Sequence, residues 1–70
     1  MSPREREVVE LITEGCTNRE IAERLVISER TAENHVRRVL NRLGLQSRTQ
    51  VAAWAVRNGL GVGVGEAAEH

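Results

Sequence analysis

A chain of 70 residues forms at most one small domain, and with Trp54 as its only aromatic residue its core has to be aliphatic. The single cysteine excludes an internal disulfide, no Cys/His cluster has metal-ligand spacing, and no apolar run approaches the ~18 residues of a membrane span. We therefore expect a cytoplasmic protein with no membrane contact, metal or other cofactor. The ten arginines and ten glutamates cancel overall, but residues 28–58 hold six Arg against two Glu, so the middle of the chain is basic.

Two helices are predicted in the first third of the chain, each opened by a capping box. Ser2–Glu5 combines an N-cap Ser, a Pro at the first helical position and a Glu three residues after the cap, which predicts a helix over about 3–14. Gly15 ends this helix. Thr17–Glu20 has the same pattern and predicts a short helix over about 18–25.

Two further helices are predicted in the rest of the chain. Ser28 is an N-cap before a helix over about 29–43, and Gly44 suits the left-handed position at its end. Ser47–Gln50 predicts a third capping box and a helix over about 48–58.

The end of the chain is predicted to be a tail. Gly59 followed by Leu60 is typical of a helix end at which the Leu folds back onto the helix. Residues 61–70 are rich in Gly and have no hydrophobic period. We expect a structured domain over 1–60 and a flexible tail over 61–70.

The spacing of the helices predicts an all-α, four-helix bundle that contains a helix-turn-helix. Only Val26, Ile27 and Ser28 separate the second helix from the third, so the chain has to turn sharply there. Two helices joined by a tight turn, the second longer and basic, are typical of a motif whose second helix enters the major groove of double-stranded DNA.

The third predicted helix has a polar face opposite its apolar stripe. Successive helical residues are rotated by about 100°, which places Arg30, Asn34, Arg37 and Asn41 together on the polar face. Arg and Asn are the side chains that pair bidentately with guanine and adenine edges, and Arg also binds phosphate. A solvated face with helical ion pairs would carry similar residues, and Glu33 has the spacing for such pairs.

Four blocks, PREREVVELITEG, TNREIAERLVIS, RTAENHVRRVLNRLG and SRTQVAAWAVRNGL, together resemble the DNA-binding domain of LuxR-type transcriptional regulators. The resemblance covers about residues 2–60. It implies a four-helix domain whose third helix reads the major groove, whose fourth supports a homodimer, and which follows a sensor domain in a larger regulator. RNA polymerase is a further candidate partner.

The resemblance also implies which residues form the site. Base-reading positions correspond to Arg30, Glu33, Asn34 and Arg37. Phosphate contacts correspond to Thr17, Asn18, Arg19, Thr31 and Arg48, with Arg38 added because of its charge. The small and apolar residues of the fourth helix that are expected at the dimer interface are Val51, Ala52, Ala55 and Val56.

Glu33 departs from the pattern, because many members of the family carry Lys at this position. A carboxylate near phosphate is repulsive, which leaves two roles open for it. It either holds Arg30 and Arg37 in fixed rotamers or accepts a hydrogen bond from N4 of a cytosine.

Two other functions remain open on the sequence. Region 4 of a sigma factor has a similar opening and helix-turn-helix, but the block SRTQVAAWAVRNGL has no counterpart there. A helix-turn-helix that binds protein instead of DNA would expose an apolar stripe rather than a stripe of Arg and Asn. An enzyme is not expected, because no nucleophile–base pair or phosphate loop is present.

Overall fold

The structure, a computed structural model, describes residues 2–59 of the chain. Within this range it contains four helices: α1 (Pro3–Thr13), α2 (Asn18–Leu25), α3 (Glu29–Leu43) and α4 (Arg48–Arg57). The all-α prediction and its element order are confirmed, and α1 and α4 each end one residue earlier than predicted. The predicted Leu60 fold-back and the predicted tail over 61–70 lie outside the described residues.

Side-chain oxygens begin all four helices, as the sequence predicts. Ser2 and Thr17 form reciprocal capping boxes, in which each hydroxyl accepts from the backbone N–H three residues on and Glu5 or Glu20 accepts from the cap N–H. Ser28 Oγ accepts from the Thr31 N–H at 3.0 Å. These bonds satisfy N–H groups that the first turn of a helix leaves unpaired.

The third predicted capping box is wrong in one of its two bonds. Ser47 Oγ does accept from the Gln50 N–H, at 3.2 Å. The side-chain oxygen of Gln50, Oε1, however, accepts from the Gln46 backbone N–H at 2.6 Å and not from the Ser47 N–H. Ser47 has a φ of −145°, against −75° and −77° at the two reciprocal caps, so its backbone presents a different N–H to the Gln50 side chain.

Three of the helices end in the same way. Gly15, Val26 and Gly44 have left-handed φ angles of 90°, 57° and 69°. In each case the next residue donates its N–H to the carbonyl five residues earlier, at 2.9 to 3.0 Å. This is the Schellman motif, and its following residue is Cys16, Ile27 or Leu45, each packed against the core.

The core is aliphatic and receives residues from all four helices. Helix α3 packs on α1 and α2, while α4 packs mainly on α1. The half-buried Trp54 lies against this core instead of filling it. The buried residues are Val8, Val9, Leu11, Ile12, Ile21, Ala22, Ala32, Val36, Val39, Val51 and Ala55.

Candidate nucleic-acid interface

Helix α3 has one face in the core and the other in solvent. Ala32, Val36 and Val39 are buried. The polar side of the helix and its flank are exposed, at Arg30, Glu33, Asn34, Arg37, Arg38 and Asn41. Four of these six residues, Arg30, Glu33, Asn34 and Arg37, are the predicted base-reading positions. The helix therefore presents a continuous exposed face of Arg and Asn donors, with the Glu33 carboxylate as an acceptor on its flank.

An ion pair lies on this exposed face. Glu33 Oε1 is 3.9 Å from a terminal guanidinium nitrogen of Arg37, one helical turn away, and both side chains are more than half exposed. Within the described residues Arg30 has no carboxylate within 4.0 Å. The hypothesis that Glu33 holds both arginines therefore has to be corrected, because in this structure it contacts Arg37 alone.

Exposed pairs of this kind contribute little to stability, typically ~0.3 to 0.5 kcal/mol for residues one turn apart on a helix. The Glu33–Arg37 contact is therefore easily broken or shared when another polar group approaches. It leaves both side chains available to a ligand.

The predicted phosphate-contacting residues fall into two groups. Arg19, Thr17 and Arg38 are exposed, and Arg19 pairs with Glu23 at 3.7 Å. Thr31 is half-buried, and its Oγ accepts from Ser28 Oγ at 2.8 Å. In this first group Arg19 and Arg38 extend into solvent, while the Thr17 and Thr31 hydroxyl oxygens accept hydrogen bonds at the starts of α2 and α3.

Asn18 and Arg48 form the second group, and they bind each other. The Arg48 guanidinium donates to Asn18 Oδ1 at 2.7 Å and to the carbonyl oxygen of Cys16. It thereby joins the start of α4 to the turn between α1 and α2. Both residues are half-buried, and in this structure their polar atoms connect helices.

The predicted dimer face of α4 is only partly available. Val51 and Ala55 have no exposed surface and belong to the core. That part of the prediction has to be corrected, since these two residues are already covered by α1 within one chain. Ala52 is half-buried and Val56 is 44% exposed, so the outer face of α4 runs through these positions.

A second connection between distant residues was not predicted from the sequence. Arg42, in the last turn of α3, lies 3.2 Å from Glu5 in the first turn of α1. The hydrogen bond from the Ser2 backbone N–H lowers the pKa of the Glu5 carboxyl, and Arg42 adds to this effect. No local pattern indicates a pair 37 residues apart.

Between residues 2 and 59, no group of three His, Cys, Asp or Glu side chains could hold a metal ion. None of the helices described there is long and apolar enough to cross a membrane.

Comparison with known proteins gives a consistent result. Residues 1–55 match the model of the bacterial regulatory proteins of the luxR family. The chain is 42% identical over 59 residues to the transcriptional regulatory protein DegU of Brevibacillus brevis, which covers 84% of this chain and 25% of DegU. It is 42% identical over 55 residues to the DNA-binding transcriptional activator DevR/DosR of Mycobacterium tuberculosis, covering 79% of this chain and 25% of that protein.

A third relative is the nitrate/nitrite response regulator NarL of Escherichia coli. It is 43% identical over 54 residues, which cover 77% of this chain and 25% of NarL. In eight of the curated relatives that it matches, the chain spans 7 to 28% of the relative's length.

Proposed function

This chain belongs to the luxR family of bacterial regulatory proteins, and we propose that it binds double-stranded DNA by inserting α3 into the major groove. DNA binding in transcription regulation, predicted from the sequence, is confirmed by the family and by relatives named as transcriptional regulators. The residues that make the contacts, the dimer and the larger regulator belong to the proposal.

The exposed face of α3 carries the proposal. Arg30, Asn34 and Arg37 lie in solvent on the side opposite Ala32 and Val36, so they can reach base edges without any change in the core. Arg donates to guanine O6 and N7, and Asn pairs with adenine N6 and N7. The first turns of such a helix commonly make the base contacts.

Phosphate contacts hold this helix in register. We assign them to the exposed Arg19 and Arg38, with Thr17, Asn18, Thr31 and Arg48 near the helix starts. Arg38→Gln is expected to weaken binding to all sequences about equally and to lower the slope of log affinity against log salt by about 1. A titration at several salt concentrations measures both quantities, and a change confined to one sequence would contradict this role.

The chain is proposed to be the output domain of a longer cytoplasmic regulator. Its match to a small part of each relative supports this. A homodimer is proposed through the outer face of α4, at Ala52 and Val56, and RNA polymerase is the candidate partner for activation. Sedimentation that shows only one chain on a DNA duplex with two sites would contradict the dimer.

Selection from a random-sequence DNA pool tests the main proposal. The wild-type chain should enrich a motif, and a variant carrying Arg30→Ala and Asn34→Ala should lose it while circular dichroism shows unchanged helicity. Arg4→Ala is the matched control, because it removes an exposed arginine on α1 and should leave the motif intact. A motif that survives unchanged in the double variant would exclude Arg30 and Asn34 as base-reading residues.

A further inference from the structure

Glu33 lies where a carboxylate has a restricted set of DNA partners. It is exposed in the second turn of α3, next to Asn34 and one turn before Arg37. If α3 enters the major groove as proposed above, this carboxylate faces base edges or the phosphates that flank the groove. It is repelled by phosphate, so its favourable partners are hydrogen-bond donors on the bases.

The donors in the major groove are few. Guanine presents the acceptors N7 and O6, and thymine presents the acceptor O4 and a methyl group. Adenine has a donor at N6, but the acceptor N7 lies beside it. Cytosine presents the N4 donor without a neighbouring acceptor on its own edge, so a carboxylate fits cytosine best.

The guanine that pairs with that cytosine presents acceptors that suit Arg37, the partner of Glu33 in the ion pair. N4 of cytosine and O6 of guanine are hydrogen-bonded to each other, about 2.9 Å apart. Glu33 Oε1 and the Arg37 guanidinium nitrogen are 3.9 Å apart, also side by side. An acceptor and a donor on α3 thus lie side by side, about 1 Å further apart than the donor and acceptor on one C·G pair.

We infer that the Glu33–Arg37 pair reads a single C·G base pair as a unit. Glu33 accepts from cytosine N4, and Arg37 donates to O6 and N7 of the paired guanine. This inference rests on the proposed function, because it requires α3 in the major groove. The weak contact between the two side chains suits this role, since a small movement turns both toward the DNA at little cost.

The same DNA selection, repeated with Glu33→Gln, Arg37→Gln and the double variant, tests the inference. The wild-type motif should contain one strongly preferred C·G pair. Glu33→Gln should lower the preference for cytosine over adenine at that pair by at least about fivefold, because Gln pairs with adenine. Arg37→Gln should relax the same base pair, and the double variant should relax it no further than the more severe single change.

Glu23→Gln is the matched control. Glu23 forms an ion pair of the same type with Arg19, one turn away on α2, and is similarly exposed. Both glutamine variants should bind non-cognate DNA more tightly, because each removes a negative charge near DNA. Only Glu33→Gln should alter the base preference.

Two results would overturn the inference while leaving the proposed function intact. In the first, Glu33→Gln changes affinity equally for all sequences, as Glu23→Gln does. In the second, Glu33→Gln and Arg37→Gln relax different base pairs, which would show two separate contacts. If the folded wild-type chain enriches no motif, the proposed function and the inference fail together.

Discussion

The turns on either side of α3 have the same backbone but different residues at the left-handed position. The turn that leaves α3 has Gly44 there, and the turn that enters it has Val26. Both complete a Schellman motif, and both send the next residue, Leu45 or Ile27, against the core. Glycine adopts this conformation freely, whereas a β-branched residue in it is a genuine outlier.

Because Val26 adopts the same left-handed conformation as Gly44, packing and not the residue at the turn sets the path of the chain into α3. The Val26 side chain is 89% exposed, so it gains almost no burial in return for its conformation. The left-handed conformation costs a non-glycine residue roughly 1–2 kcal/mol. Burial of Ile27 and the hydrogen bond to the Ala22 carbonyl hold the turn in spite of that cost.

Placing a valine in the exit turn should make the two turns alike. Gly44→Val is expected to lower the free energy of unfolding by about 1–2 kcal/mol, because φ is 69° there. A new Cβ would meet no atom within 4 Å, so the cost comes from the backbone alone. Urea unfolding measures it, with Gly44→Asn as a milder control, and an unchanged midpoint would contradict the explanation.

Arg48, the first residue of α4, connects the segment after the exit turn to the turn between α1 and α2. Replacing Arg48 tests how much these contacts contribute to stability. Arg48→Met keeps the aliphatic stem but removes the donors to Asn18 Oδ1 and the Cys16 carbonyl. The expected loss of unfolding free energy is at least about 1 kcal/mol, because two hydrogen bonds are lost and each typically contributes about 0.5–1.5 kcal/mol. If the free energy of unfolding stays constant while DNA affinity falls, Arg48 binds phosphate and does not stabilise the connection between the helices.

Replacing Val26 in the entry turn by glycine should raise the free energy of unfolding, and by less than Gly44→Val lowers it. Val26→Gly removes a cost of about 1–2 kcal/mol, but glycine also increases the entropy of the unfolded chain, which offsets about 0.4–1 kcal/mol. The net expectation is a gain of about 0.5 kcal/mol in unfolding free energy. Val26→Asn tolerates the same φ without the full entropy cost, so destabilisation by both variants would contradict strain at Val26.

The smallest effect is expected from the Glu5 carboxylate, which accepts from the Ser2 backbone N–H and also pairs with Arg42 at the end of α3. The folded-state pKa of Glu5 is lowered, so its stabilising contribution is present above the unfolded-state pKa and is lost as pH falls through the folded value. Wild-type stability should therefore drop more between neutral pH and pH 3 than that of Glu5→Gln. Parallel urea titrations at several pH values compare them, and identical pH profiles would exclude this contribution.

The part of the candidate site that lies on a single helix, α3, could be predicted from the sequence. The polar stripe of α3 follows from a rotation of about 100° per residue, and the structure exposes each member of that stripe. On α4 the predicted dimer positions came from the family resemblance and the small residues of the helix, and the prediction was wrong for Val51 and Ala55, which are buried. That helix carries small or apolar residues at 51–56 on every side, so its period does not tell which side faces the core.

Local sequence is enough to specify the four helices, their capped starts and the glycine ends of α1 and α3. Caps and Schellman motifs are made between residues three to five apart, so local chemistry is sufficient. The tertiary structure alone decided that Arg48 binds Asn18 and Cys16, that Arg42 reaches Glu5, and that Val51 faces inward. These contacts join residues from different helices, and they exist only once the apolar faces have packed and fixed which side chains become neighbours.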